Sequence, residues 1–355
     1  MDGLRALAVF GVMITHFLPG DIKILTVSQP GTLGVMLFFV LSGFLITGIL
    51  LQCREATQLT GQSSWKNLLI FYIRRILRIF PIYYLTLVAG VLLNIESVRK
   101  AFFWHILYVS NFYFQFQGDW DKETAHLWTL SVEEQFYLIW PLIILFVSDK
   151  YLLNVILSII LAAPLFRLIC LLTDIPSFYS MGNMITIAHM DSLGLGALLA
   201  LFSSPSMDSL YGRNKKFFID FCFWIGGFSI VLLHMIRIVY PETMFDKVLG
   251  NMITSIFFTW AVAGASTGFS GLGRKCLENK MLVYLGKISY GIYIYHLFMP
   301  WVNHHVFQVA GLAFPQSILE LFVLNSVTTI LIAIISFHII ERPLSGLKKR
   351  FEYLN

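Results

Sequence analysis

Asp2-Gly-Leu-Arg-Ala-Leu-Ala-Val-Phe-Gly-Val-Met-Ile-Thr-His16 opens the chain. An acid and a base, Asp2 and Arg5, stand at the mouth of an apolar run, and a single histidine, His16, lies inside it. A helix rises about 1.5 Å per residue, so residues 5–16 carry His16 roughly 16 Å beyond Arg5. That depth is near the middle of a hydrocarbon layer about 30 Å thick. An ionisable side chain there is expensive, which makes His16 a candidate functional group. The alternative is a histidine hydrogen-bonded to a neighbouring helix. By the same reach Asp2 cannot touch His16, and it is expected to pair with an arginine at the mouth. The run has a basic residue before an apolar core, as a signal peptide does. It lacks a well-placed small-residue cleavage site, so it reads as a retained first span.

Composition extends this reading to the whole chain. Of the 355 residues 57% are hydrophobic and 13% charged, and the mean hydropathy is +0.75. Soluble domains carry about 25% charged residues. The expectation is an all-α, polytopic membrane helix bundle. No polar block is long enough to fold alone, so residues 1–355 read as a single integral-membrane domain with no appended soluble domain. Any chemistry then has to happen among the helices. The small net charge of +5 says little about partners, and no nucleic-acid partner is expected. Cys53, Cys170, Cys222 and Cys276 form no C-x-x-C pair, and no disulfide frame or metal site is expected.

Apolar segments at about 4–19, 31–52, 68–93, 128–147, 151–173, 181–202, 217–240, 248–268, 282–306 and 318–340 make ten spans. A further piece, 101–116, is short for a span and holds His105, Ser110, Asn111 and Gln115. The positive-inside rule decides its course. With a cytoplasmic N-terminus and no crossing at 101–116, eighteen of the 25 Lys and Arg face inward. If that segment crosses, only ten of the 25 do. Residues 101–116 are therefore expected to be re-entrant or interfacial, lining a cavity, with both termini cytoplasmic. Leu347-Lys-Lys-Arg350 reads as a basic anchor at the inner leaflet of the plasma membrane.

Three further stretches carry candidate chemistry. In Phe71-Tyr-Ile-Arg-Arg-Ile-Leu-Arg-Ile-Phe-Pro81, Arg75 and Arg78 are three apart and share a helical face, while Arg74 points elsewhere. A pair of guanidinium forks suits phosphate, although snorkelling is the simpler role for arginines at a span end. His126-Leu-Trp-Thr-Leu-Ser-Val-Glu-Glu-Gln-Phe-Tyr137 opens the fourth span at the outer face, with Ser131 a candidate cap. Glu133 is the candidate for an outer, acceptor-side carboxylate. In the ninth span Ser289, Tyr293 and His296 follow one helical stripe, either as helix-to-helix hydrogen bonding or as a cavity wall. Arg167, His189 and Asp191 are further polar groups within spans, each read as structural. Ser42, Gly43, Thr47 and Gly48 of the second span read as packing positions.

Taken in order, these pieces resemble the acyltransferase-3 family of integral-membrane acyltransferases. The matching residues are Asp2-Gly-Leu-Arg5 with His16, Phe38-Phe-Val-Leu-Ser-Gly-Phe44, and Arg75-x-x-Arg78 with Pro81 and Tyr83-Tyr84. Trp128 to Tyr137, Ser289-Tyr290 to His296, and Glu341-Arg-Pro343 complete the set. The resemblance implies transfer of an acetyl group from cytoplasmic acetyl-CoA to a hydroxyl of an extracytoplasmic glycan or lipid-linked saccharide. It implies essential roles for His16 and for Arg75 and Arg78. With Arg5, the two arginines would dock the phosphates of acetyl-CoA. His16 would deprotonate the acceptor hydroxyl or carry the acetyl group itself, and the sequence leaves both open. A multispan transporter or flippase for a glycan or small anion is the alternative class. Against it, the sequence shows no inverted repeat and no pair of Gly/Pro-broken helices in corresponding halves, features common in transporters.

Overall fold

The computed structural model describes residues 1–20, 22–61, 63–118, 120–173, 184–240 and 243–351, with the side chain of Lys349 left aside. Among them the only regular elements are helices. In chain order they begin with α1 (Asp2–Phe17), α2 (Lys23–Ser28), α3 (Pro30–Thr60) and α4 (Ser64–Leu92). Short helices α5 (Glu96–Lys100), α6 (Phe102–Ile106) and α7 (Ser110–Gln117) follow. Then come α8 (Leu127–Phe146), α9 (Asp149–Leu172), α10 (Met190–Ser203), α11 (Asn214–Val239) and α12 (Met244–Thr267). The chain continues through α13 (Gly271–Leu277), α14 (Lys280–Lys287), α15 (Ser289–Tyr295), α16 (Met299–Val309) and α17 (Ile318–Ser336).

Eight described helices are long and apolar enough to cross a membrane. Of the other two expected spans, one is a short helix and one is broken. The first, α1, has 16 residues. The ninth is broken into α14, α15 and α16, with His296 at the C-terminal end of α15. Residues 181–183 of the expected sixth span lie outside the described residues.

Residues 101–116 behave as the charge count requires. Tyr108 adopts φ 53°, a left-handed conformation that ends α6 and turns the chain into α7. Helices of five and eight residues are about 8 and 12 Å long, too short to span. Their polar side chains turn inward: His105, Ser110 and Asn111 are fully buried. His105 Nδ1 meets the Ser110 hydroxyl at 2.7 Å. Ser131 is not a cap. It sits inside α8, donating to the Leu127 carbonyl and accepting from the Ser110 backbone N–H at 3.1 Å. It therefore ties the re-entrant segment to the bundle.

Helices α1, α3 and α10 form the centre. Their closeness depends on glycine: a Cβ at Gly43 would stand 1.9 Å from the Leu193 carbonyl oxygen, with no room to move. Gly286 does the same for the start of α1, where a Cβ would lie 1.8 Å from the Asp2 carbonyl oxygen. Small residues let backbones approach in this way. The packing reading thus holds for Gly43. Thr47 accepts from Trp140 Nε1 at 2.7 Å, whereas Ser42 faces a cavity.

The polar groups at Arg167 and Asp191 form a buried clamp. Arg167 Nη2 meets Asp191 Oδ2 at 2.6 Å, with 1% and 0% of the two side chains exposed. Arg167 also donates to the carbonyls of Val248 and Ala188, joining α9, α10 and α12. Removing one partner strands a charge in a medium that cannot solvate it. Asp191→Leu is expected to cost about 3–5 kcal/mol, read as a lower unfolding temperature of the detergent-solubilised protein.

Candidate active site

Two cavities lie in series between the helices. The first, of about 190 Å³, is lined by Arg5, Arg75, Arg78, Glu133 and Glu134. The helical spacing of three brings Arg75 and Arg78 into the same space, as expected for one face of α4. Arg74 turns away and donates to the backbone carbonyls of Lys348 and Phe351. Arg5 Nη1 meets Asp2 Oδ1 at 2.9 Å, so Asp2 organises the mouth through the arginine one turn on. Arg78 is exposed to the cavity and forms no salt bridge among the described residues.

Glu133 departs from expectation. It was placed at the outer, acceptor side, but its carboxylate lines the arginine cavity. The reason is depth: α8 starts at Leu127, and six residues at about 1.5 Å each carry Glu133 roughly 9 Å into the bundle. There it accepts a hydrogen bond from Ser42 Oγ. Ser42 in turn accepts from the Tyr137 hydroxyl at 2.8 Å. The Arg75 guanidinium lies 3.8 Å from the centroid of the Tyr137 ring, a cation–π contact. Ser42 and Tyr137 were missed as site residues. A small hydroxyl on an apolar helix gives no sign of which neighbour it faces.

The second cavity, of about 790 Å³, is a vestibule. His16 lines it and is exposed to it, together with Trp120, Trp128, Trp301, His304 and His305. The two cavities share three residues: Val35, Thr129 and Tyr293 line both. The hydroxyls of Thr129 and Tyr293 are hydrogen-bonded to each other. Tyr293 thus belongs to a wall, one of the two readings open for its stripe. The stripe also brings His296 to His16, with 3.0 Å between His296 Nε2 and His16 Nδ1. His126 closes the group, its ring centroid 4.8 Å from that of His296. His189 lines the vestibule against Trp128, while Asp191 belongs to the structural clamp. No cluster of three metal-ligating side chains occurs among the described residues.

The helix bundle thus holds an arginine cavity end to end with a histidine-bearing vestibule. The acyltransferase-domain family, acyltransferase-3, matches residues 1–338. The chain belongs to this family. It is 31% identical over 377 residues to the O-acetyltransferase OatA of Staphylococcus aureus strain NCTC 8325 / PS 47, and equally so to OatA of strain COL. In both cases the match covers 99% of this chain and 57% of the relative. The chain thus spans a little over half the length of the curated relatives it matches. No solved structure matches.

Proposed function

We propose that the protein is a membrane O-acyltransferase. It would move an acetyl group from cytoplasmic acetyl-CoA to a hydroxyl of an extracytoplasmic glycan or lipid-linked saccharide. The observation that carries this reading is the meeting of the two cavities at Val35, Thr129 and Tyr293, with arginines on one side and His16 on the other. In this reading residues 1–355 act as one membrane domain, in the plasma membrane with both termini cytoplasmic, as the distribution of cations favours.

Arg75, Arg78 and Arg5 dock the donor phosphates, because guanidinium groups hold phosphate oxygens bidentately. Glu133, through Ser42 and Tyr137, steadies the face of α4 that presents Arg75. The acyl-bearing arm passes the shared wall towards His16. In the vestibule, Trp120, Trp128 and Trp301 offer flat apolar faces suited to the C–H face of a sugar ring. His16 takes the proton of the acceptor hydroxyl as its oxygen adds to the thioester carbonyl carbon. The carbon–sulfur bond then breaks, the ester forms, and the departing thiolate receives the proton from His16.

The direct test uses the purified protein in liposomes, with labelled acetyl-CoA on one side and a glycan acceptor on the other. Labelled acceptor is expected. Its absence, with no thermal stabilisation by CoA, would support a transporter instead.

The mouth also predicts a pH effect on donor binding. Lys348 lies just beyond the last membrane-crossing segment. Burial, with Arg78, Arg74 and Arg75 close by, draws its ammonium down to about 8. Below that pH Lys348 adds a positive charge to the mouth, and above it the charge is lost. CoA affinity is therefore expected to fall as pH rises through about 8. Titration calorimetry at low salt should show the fall in wild type and not in Lys348→Met.

A further inference from the structure

The ring nitrogens of His16 are not equivalent: the ring meets the Val12 carbonyl one turn back on α1, and across the bundle it meets a second histidine. His296 is fully buried. Its Nδ1 lies 2.7 Å from the backbone carbonyl oxygen of Tyr293. A carbonyl oxygen only accepts, so Nδ1 of His296 carries the hydrogen and donates it. A neutral imidazole has one N–H, so Nε2 of His296 then holds the lone pair. That nitrogen faces His16 Nδ1 at 3.0 Å. The hydrogen between the rings must come from His16 Nδ1, which leaves the lone pair of His16 on Nε2.

We propose that His296 is the positioning residue of the site: it holds His16 as the Nδ1–H tautomer and so keeps Nε2 as the nitrogen that acts on the acceptor hydroxyl. This rests on the acyl-transfer reading for its catalytic meaning but on the backbone contact for its chemistry. The arrangement resembles a triad in which a carboxylate orients the base histidine, with a neutral imidazole in the carboxylate's place. A buried carboxylate would bring a second charge to membrane depth, and an imidazole acceptor orients the ring without one. When His16 takes the acceptor proton at Nε2, the bond from its Nδ1–H to His296 is strengthened by the new positive charge. The charge stays within the histidine pair, shared between His16 Nδ1 and His296 Nε2, because the Tyr293 carbonyl on the far side of His296 accepts a hydrogen bond but carries no proton onward.

Why His296 faces this way follows from the break in the helix. Helix α15 ends at Tyr295, and α16 starts only at Met299. His296 at this break reaches back three residues for the Tyr293 carbonyl. His126 keeps the other side of the ring filled, anchored by Nε2 at 3.0 Å from the Ile294 carbonyl. The pair is therefore held by backbone atoms of one segment, at a sequence separation of 280 residues from His16.

Three measurements test the assignment. His296→Leu removes the acceptor and is expected to lower kcat for acetyl transfer at least about tenfold, with KM for acetyl-CoA unchanged. His296→Gln can present its amide oxygen to His16 Nδ1–H and is expected to recover most of that loss. Nitrogen-15 solid-state NMR of histidine-labelled protein in lipid supplies a readout independent of turnover. The His16 signals, assigned by difference against His16→Gln, should show a protonated Nδ1 and an unprotonated Nε2. A protonated Nε2 on neutral His16 in the wild type would overturn the proposal whatever the variants do. So would leucine and glutamine variants of equal activity, whether both are full or both lost. If wild type transfers no acetyl group while the NMR pattern is as expected, the tautomer assignment stands and the acyltransferase reading fails.

Discussion

His16→Ala, reconstituted in liposomes with labelled acetyl-CoA and a glycan acceptor, is expected to transfer acetyl about 10²–10⁴-fold more slowly than wild type. That range corresponds to about 2.7–5.4 kcal/mol of transition-state stabilisation. The loss should fall on kcat, because His16 lines the vestibule and not the arginine cavity. Donor affinity should stay near that of wild type. The fold should survive as well, since the side chain is exposed to the cavity and its deletion opens no void in the packed core. A His16→Ala protein with wild-type turnover would end the case for this residue. One that no longer binds CoA would mean that its role is structural.

Arg75→Ala is expected to act on the other cavity. A hydrogen bond to a charged group is worth about 1.5–3 kcal/mol, so CoA affinity should fall roughly 10- to 150-fold. The thermal stabilisation given by CoA should disappear with it. Arg75→Lys should recover little, since lysine keeps the charge but loses the planar fork and the stacking on Tyr137. Arg78→Ala should weaken binding in the same direction. The double variant should be less than additive, because the two side chains share one cavity. Unchanged CoA binding by Arg75→Ala, measured by thermal shift and by calorimetry, would remove the arginines from the donor site.

What could be read from the chain was local or one-dimensional. The placement of 101–116 followed from counting cations, and the coordinates add the turn at Tyr108 that makes it physically feasible. The shared face of Arg75 and Arg78 followed from helical periodicity. That Asp2 pairs with an arginine at the mouth and not with His16 followed from reach along one helix, and the structure identifies that arginine as Arg5. Errors arose where depth or facing mattered. Glu133 was assigned to the outer end although the arithmetic that buries His16 also carries Glu133 inward from Leu127. Ser42 reads as packing from sequence, and its neighbour Gly43 does pack against Leu193, yet the 100° between successive helical residues turns Ser42 to the cavity. The meeting of His16 with His296 joins the first and ninth spans, and no local pattern encodes a contact of that range.

The wall formed by Val35, Thr129 and Tyr293 has a consequence for the cell as well as for the reaction. A membrane protein hollowed from both ends risks becoming an ion leak, and each elementary charge that falls through 100 mV dissipates about 2.3 kcal/mol. The phenol and the threonine hydroxyl bond each other across the narrow point, and both also meet the His126 carbonyl. On the proposed acyl-transfer reading, an uncharged acyl tail would pass this narrow point while ions and the donor's phosphates would be held back. Group transfer across the bilayer, as proposed, would then run without electrical conductance, and the cost of acylation would stay separate from the energy stored in the membrane potential.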